Sequence, residues 1–545
     1  CRSPVGYHAV VSSHVIRARP PRGVADRIRL ETDAERLAPY LEDAAHVPGG
    51  RAAAVAAPGD ERQVADLLRH ARSVLAIGAQ SSLTGGATPR GEVILSSSRL
   101  RSIAVGAGVV TAGAGVSLTE LEAALAAAGV RYPPVPTYLG ATVGGIVSTN
   151  AAGAATFKYG TTREWVEGLT VVLADGGVLD VRRGEVVAGD SGFEVHLESR
   201  IARVPVPSYR LPDVPKVSAG YFAAPGMDLV DLFVGSEGTL GVVTSVTLRT
   251  LPRDRETVQL LVFCPTRDLG LRLVSDIRDR SRRTWVERDP HGIDVCAIEQ
   301  MDRRCLDLLV ADGVDRALSV PVPADAAWAL LVTLEVPRDT DAAAAHAAVA
   351  GALDGTAPDS GLVRLCRCLA SAGLLDRTEL AAPEDRARQH QWLMLREAVP
   401  AGVNRRIGLA QRTIDPGIQK IAADVIVPFD RLPELLERWD RETAVRGLDG
   451  PVWGHVSDGN LHPNVIPHRL ADLEAGRDAV LAIGRAAIAL GGAPCAEHGV
   501  GRNRIKQQLV RELYGPAGID AMRAVKRALD PEWKLAPGVL GLEIS

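Results

Sequence analysis

Two imidazoles, a carboxylate and a third imidazole fall in two short segments, Gly454-His455-Val456-Ser457-Asp458-Gly459-Asn460-Leu461-His462 and, further along, Glu497-His498-Gly499. His455 and His462 are seven positions apart. One straight helix could align them, but Asp-Gly-Asn between them favours a turn that folds the chain back. Such a turn brings both rings to one point. Neutral imidazole nitrogens with one carboxylate oxygen form a borderline ligand set suited to zinc or a similar divalent ion, with a position left open for water or substrate. Neighbouring side chains alternate in extended backbone, which predicts that Glu497 reaches the ion while His498 faces something else. The competing reading is a group of packed polar residues beside a loop.

The elements that must position these groups belong to a chain of 545 residues, too long for one core. Hydrophobic residues make up 46% and charged residues 23%, the balance of a soluble globular protein. A net charge of -4 offers no field for nucleic acid and no polybasic membrane anchor. The longest apolar runs, such as Ala327–Val332, are far short of the ~20 residues that span a bilayer. Seven cysteines, odd in number and without a C-x-x-C pair, fit reduced thiols in a cytoplasm. The first residue is Cys1, which leaves the natural start open, and no signal-peptide pattern follows it. Lysine is scarce, at positions 158, 216, 420, 506, 526 and 534, against an abundance of arginine, so each lysine is a candidate for a specific role.

Residues 1–51 read as a segment wrapping a later domain. From Ala52 the order becomes regular: a strand at Ala53–Ala56, a helix at Glu61–Leu68 and a buried strand at Val74–Ile77, which together predict a β-α-β unit. The second strand runs into Gly78-Ala79-Gln80-Ser81-Ser82-Leu83-Thr84-Gly85-Gly86, small residues whose amides could approach an anionic group closely. It is neither a Walker loop nor a G-x-G-x-x-G fingerprint, and alone it serves equally as a turn. A strand at Val109–Gly113 leads to Ser117, whose spacing to Glu120 predicts a capping box opening a helix to about Ala128. A second small-residue tract spans Gly140–Gly153, and a hairpin with an Asp-Gly turn is predicted for Val166–Val181. A third tract, Gly235-Ser236-Glu237-Gly238-Thr239-Leu240-Gly241, closes this half. After Leu251-Pro252, residues 255–440 alternate β runs (Val258–Phe263, Trp328–Leu334, Asp424–Val427) with Ala- and Arg-rich helices, an α+β pattern.

Three glycine-rich tracts followed by Gly454–His462 and Ala496-Glu497-His498-Gly499-Val500-Gly501 resemble the vanillyl-alcohol-oxidase-type FAD-linked oxidoreductases with a PCMH-type FAD domain. Within them the resemblance is to the D-2-hydroxy-acid branch, which includes D-lactate dehydrogenases and the flavin subunit of glycolate oxidase. It covers about Ala52 to Leu540. It implies an α+β fold: a two-part FAD-binding domain at 52–252 (about 52–115 and 116–252), a cap with the substrate and metal site at 253–500, and a C-terminal segment at 501–545 returning to the FAD domain. It implies that Gly78, Gln80, Ser81, Ser82, Leu83 and Gly85 hold the FAD diphosphate, that Thr137, Gly140, Ala141, Gly144, Gly145 and Ser148 line the other side of the flavin, and that Gly238, Gly241 and Val243 meet the adenosine end. The tracts 78–86 and 137–153 contain no His or Cys, so the FAD is expected to be noncovalent. His455, His462 and Glu497 match the ligands of a divalent metal (zinc or manganese) and His498 the general base. Arg396 and Lys420 match the carboxylate-holding cations, and Asn460 would hydrogen-bond substrate or flavin.

The implied reaction is oxidation of a lactate-like D-2-hydroxy acid to the 2-keto acid, by metal-assisted proton abstraction and hydride transfer to flavin N5. Lactate, glycolate and larger acids all remain open. An electron acceptor (quinone, cytochrome or electron-transfer flavoprotein) is implied, and a homodimer is left open. Pro400 stands where some members carry a polar residue, and Ala536-Pro537-Gly538-Val539 stands where close relatives carry Asn-Pro-Gly-Lys. The rival readings are an alcohol or sugar oxidase without metal and a non-redox flavoenzyme of the alkylglycerone-phosphate-synthase type.

Overall fold

The computed structural model describes residues 13–24, 28–134, 136 and 138–543. Strand β1 (Ala54–Ala56), helix α1 (Glu61–His70) and strand β2 (Val74–Ile77) form the predicted unit. Asp60 caps α1 by accepting from the Gln63 amide, and Val64, Ala65, Leu67 and Leu68 fill its buried face. The two strands are nevertheless not partners. Strand β3 (Val93–Ser96) lies between them and pairs in parallel with both, so the glycine loop 78–92 is itself the crossover from β2 to β3.

Next comes an antiparallel sheet of β4 (Ile103–Val105), β5 (Val109–Gly113), β6 (Val166–Val172), β7 (Val178–Arg182) and β8 (Val242–Arg249), in the order β4-β5-β8-β6-β7. The predicted capping box is formed at Ser117 and Glu120 and opens α2 (Leu118–Ala127). The predicted hairpin is β6–β7. Part of the second small-residue tract, to which the sequence assigned no element, is the helix α3 (Val143–Thr149). Thr142 caps it by accepting from the Gly145 amide, and Asn150 ends it in the left-handed region.

An eight-stranded sheet follows, made of β9 (Arg255–Cys264), β10 (Val295–Asp302), β11 (Trp328–Pro337), β12 (Thr378–Ala381), β13 (Ile421–Ala422), β14 (Val425–Ile426), β15 (Val452–His455) and β16 (Asn460–Val465). Its order is β12-β9-β11-β10-β15-β16-β13, with β14 also paired to β16. The long helix α4 (Arg386–Thr413) packs Trp392, Leu395, Val399 and Val403 into the core beneath it. Helix α5 (Arg504–Leu529), kinked at Gly515-Pro516, carries the chain back to the first sheet. There the Val74 amide donates to the Lys534 carbonyl and the Ala536 amide to the Val74 carbonyl. A buried ionic cluster joins the two halves: Glu335 of β11 accepts from Arg131 at 2.8 Å, Lys158 at 2.6 Å and the Tyr159 hydroxyl at 2.6 Å. Among the described residues no helix is long and apolar enough to cross a membrane.

Candidate functional site

The predicted reversal between the two histidines is the β15–β16 hairpin, which pairs Trp453 with His462. Gly459 closes its turn at φ 87°, where a Cβ would lie 2.3 Å from the Val427 carbonyl oxygen, so only glycine fits. The turn is held from outside. Arg278 donates to the Ser457 carbonyl, and the Ile298 amide donates to the Ser457 hydroxyl at 3.1 Å. In consequence Glu497 Oε1 lies 3.1 Å from His455 Nε2 and 3.3 Å from His462 Nε2. All three side chains are buried, and their donor atoms lie within 4.8 Å of one another.

His498 does not diverge from Glu497 as strand alternation predicted. Its Nε2 is 3.6 Å from the same Glu497 oxygen and its ring stacks on His462 at 5.0 Å. The cause is Asp424, whose Oδ2 accepts from the Ala496, Glu497 and His498 amides at 3.2, 3.0 and 2.9 Å and so curls the segment around one carboxylate.

Carboxylates also stand behind the rings. Glu299 Oε1 is 3.1 Å from His455 Nδ1, and Asp424 lies 3.6 Å from His462 Nδ1 and 3.5 Å from His498 Nδ1. This arrangement turns each Nε2 inward, the orientation that metal-ligating histidines take from an outer carboxylate. Lys216, wholly buried and reaching over from the first half of the chain, places Nζ 2.6 Å from Glu497 Oε2 and 3.1 Å from Asp458 Oδ2. Burial alone would raise the carboxyls of Glu299 and Glu497. For Glu299, Arg396 and then His455 outweigh it and hold the group at about 2. For Glu497, His455 and Lys216 hold it well below its ordinary value. Burial lowers His498 to about 4, so its ring is unprotonated at neutral pH, whereas Glu299 and Glu497 overcome burial at His455 and raise it to about 9.

Asp424, Glu299 and Lys216 are site residues that the sequence reading did not single out. The available signals were a carboxylate inside the otherwise uncharged run Val295–Met301 and the scarcity of lysine.

The histidine cluster opens into a cavity of about 560 Å3 that the glycine tracts also line. Gly78, Gln80, Ser81, Ser82 and Leu83 form one wall; Ala141, Gly144, Gly145 and Ser148 another; Gly238, Gly241 and Val243 a third. Close packing explains the small residues. A Cβ on Gly78 would fall 2.1 Å from Thr142 Oγ1, and one on Gly241 would fall 2.4 Å from Val171 Cγ1. Arg396, Lys420, His455, His462, Glu497 and His498 line the same cavity.

Three expected residues do not line it. Gly85 turns the loop at φ 71° and Gly140 packs under Tyr138, both just outside the wall. Asn460 is buried; its amide nitrogen donates to Asp424 Oδ1 at 3.1 Å and to the Val425 carbonyl at 2.9 Å, while its side-chain oxygen has no partner among the described residues. Thr137 lies outside the described residues. The Gln80 side chain faces away and donates to the carbonyls of Tyr40, Glu42 and Ala87, leaving only its backbone for the cavity. Arg396 is half committed, with Nε and Nη2 3.2 Å from Glu299 Oε2 and Nη1 2.9 Å from Glu397 Oε1. Lys420 has no ion-pair partner among the described residues, and burial lowers it to about 8.

Comparison with known proteins adds three findings. The family described as FAD linked oxidases, C-terminal domain, matches residues 283–540, and the FAD binding domain family matches residues 52–182. A D-lactate dehydrogenase of Archaeoglobus fulgidus is 26% identical, covering 89% of this chain and 90% of its own. A D-2-hydroxyglutarate dehydrogenase of Xanthomonas citri pv. viticola is 27% identical, covering 94% of each. Among solved structures, 4-ethylphenol oxidase from Gulosibacter chungangensis shares the fold at a TM-score of 0.62 and 16% identity, covering 94% of both chains.

Proposed function

We propose that this chain, which belongs to the FAD-linked oxidoreductases of the vanillyl-alcohol-oxidase type by its FAD binding and FAD-linked-oxidase C-terminal domains, oxidises a D-2-hydroxy acid to the corresponding 2-keto acid. The reading rests above all on one observation: a glycine-walled cradle, a buried His-His-Glu cluster and the half-buried His498 line the same cavity. The cradle fits FAD because its walls are backbone and small side chains, packed so closely that a Cβ at Gly78 or Gly241 would collide. The cluster fits a divalent ion because three buried donors converge while the Nδ1 atoms of His455 and His462, left without hydrogen-bond partners, face carboxylates.

His455, His462 and Glu497 would hold zinc or manganese. When bound, the ion supplies positive charge beside the substrate's α-hydroxyl and FAD supplies the acceptor for the two electrons released. The protein's own groups do the rest. Lys420 and the free edge of Arg396 hold the acid's carboxylate. His498, kept neutral by burial and oriented by Asp424, takes the hydroxyl proton. Lys216 holds Glu497 Oε2 so that Oε1 faces the two rings.

The test is anaerobic mixing of FAD-loaded protein with D- and L-2-hydroxy acids, followed by flavin bleaching, with and without EDTA and added zinc or manganese. One D-acid is expected to bleach the flavin and EDTA to abolish the bleaching. His498→Ala should keep the yellow cofactor and slow reduction by about 10²–10⁴-fold. Bleaching untouched by chelation would instead favour the metal-free alcohol oxidase reading.

A further inference from the structure

Every backbone amide from Ala496 to Arg502, the segment that carries Glu497, donates to a partner distant in the chain. The first three, those of Ala496, Glu497 and His498, reach Asp424 of the second half. The next four cross to the first half. Gly499 donates to Ser218 Oγ at 3.1 Å, Val500 and Gly501 to the two oxygens of Glu237 at 2.8 Å each, and Arg502 to the Thr84 carbonyl at 3.0 Å. The segment forms no helix or strand of its own, and Gly499 and Gly501 turn it at φ 74° and 54°. Its shape is imposed from two sides.

Glu237 is where this grip meets the cradle. Its amide donates to the Ser148 carbonyl at 2.7 Å, in the last turn of α3. Its backbone is held at φ 52°, a left-handed conformation that a residue with a Cβ keeps only where its surroundings impose it. Its carboxylate receives two successive amides, an arrangement in which backbone dipoles converge on one anion. Glu237, Ser148 and Thr84 all line the cavity beside the glycine tracts. The fit is close: a Cβ on Gly501 would lie 2.2 Å from Thr84 Oγ1, and one on Gly499 would lie 3.0 Å from the Glu237 carboxyl group. His455 and His462, by contrast, stand on the β15–β16 hairpin of the second half. Where Glu497 lies relative to their rings therefore depends on how the first half holds residues 499–502.

We propose that Glu237 is a positioning residue that couples the cradle to the metal ligands, so that FAD and the divalent ion each tighten the binding of the other. The proposal rests on the reading above, in which the cradle takes FAD and His455, His462 and Glu497 take the ion. A molecule seated in the cradle orders walls that include Glu237, Ser148 and Thr84. Those walls fix the amides of residues 500–502, and with them Glu497. The cost of ordering is met by whichever group binds first, and the second finds the segment already in place. Linkage makes the factor equal in both directions.

The experiment measures zinc dissociation constants, by competition with a chromophoric chelator, in FAD-loaded and FAD-free protein. It also measures FAD dissociation constants, by flavin fluorescence, in zinc-loaded and EDTA-stripped protein. FAD is expected to tighten zinc at least about fivefold, and zinc to tighten FAD by the same factor. Glu237→Ala is expected to bring that factor below about twofold, with Glu237→Gln, which keeps one accepting oxygen, between the two. A residue needed only for folding would weaken both affinities and leave the factor as it was. A wild-type factor under about fivefold overturns the proposal, as does a factor that Glu237→Ala leaves unchanged. If Glu237→Ala fails to fold, the wild-type factor and Glu237→Gln still decide. If the FAD-free protein does not stay folded, flavin release on dilution of the holoprotein gives the same comparison and is expected to be at least about fivefold slower with zinc than without. Protein that binds only one of the two groups strikes down the broader reading, a result distinct from independent binding of both.

Discussion

Asp424 organises more of the site than any residue whose chemistry is legible in the sequence. Its carboxylate receives the three successive amides of Ala496, Glu497 and His498 and the Asn460 side chain, and it stands behind two imidazoles. Asp424→Asn replaces one accepting oxygen by a donor aimed at those groups. It should lower metal retention or the flavin reduction rate by about 10–100-fold while the protein still purifies yellow, which metal analysis and stopped-flow reduction would register. Lys420 gives a pH prediction. Burial lowers its ammonium group to about 8, so the charge is present below that pH and lost above it. KM for the acid should therefore rise about tenfold per pH unit above 8, and Lys420→Met should show a raised KM without that rise, measured from pH 6.5 to 9.5. At this scale the sequence is informative wherever residue type and spacing suffice, as with His455, His462 and Glu497. It leaves Asn460 open, because a turn residue could face either the cavity or the loop, and it is the position of Asp424 that draws its amide nitrogen to the loop.

Elements set by local chemistry are legible and those set by long-range pairing are not. The Ser117–Glu120 capping box, the β6–β7 hairpin and the β15–β16 reversal follow from side chains reaching backbone a few residues away. Strand β3 escapes the sequence reading because four residues carry almost no periodic signal, and its place between β1 and β2 is a tertiary matter. Helix α3 escapes it because Val-Gly-Gly-Ile-Val-Ser-Thr has poor helix propensity. Its first turn packs against the strand-end residue Ala114 so closely that a Cβ on Gly144 would sit 2.7 Å from the Ala114 Cβ. Gly78→Val should expel Thr142 from the cap it forms on α3 and close the cradle. The expected result is a folded protein purified without flavin absorbance, with circular dichroism largely preserved.

For the whole molecule, lysine is used sparingly and always in place. Surface cations are almost all arginine, while each of the six lysines is buried or half-buried: Lys158 on Glu335, Lys216 on Glu497, Lys420 in the cavity, Lys506 on Asp424, Lys526 on Asp530 and Lys534 on the Leu68 carbonyl. Three of these contacts, those of Lys158, Lys216 and Lys534, join residues from opposite halves of the chain, so the site is complete only when the halves are docked. Glu335→Ala removes the shared partner of Arg131, Lys158 and Tyr159. It should cost about 3–5 kcal/mol of stability, seen as a lower denaturation midpoint together with weaker metal retention. The sequence pointed to the cofactor class through its family resemblance, and by residue type and near neighbours it determined the reversal that carries His455 and His462 and the small-residue tracts. Only the tertiary structure decided that Asp424 curls the Ala496–His498 segment, that Lys216 holds Glu497 and that Glu299 stands behind His455, because those contacts join positions tens to hundreds of residues apart and leave no local trace.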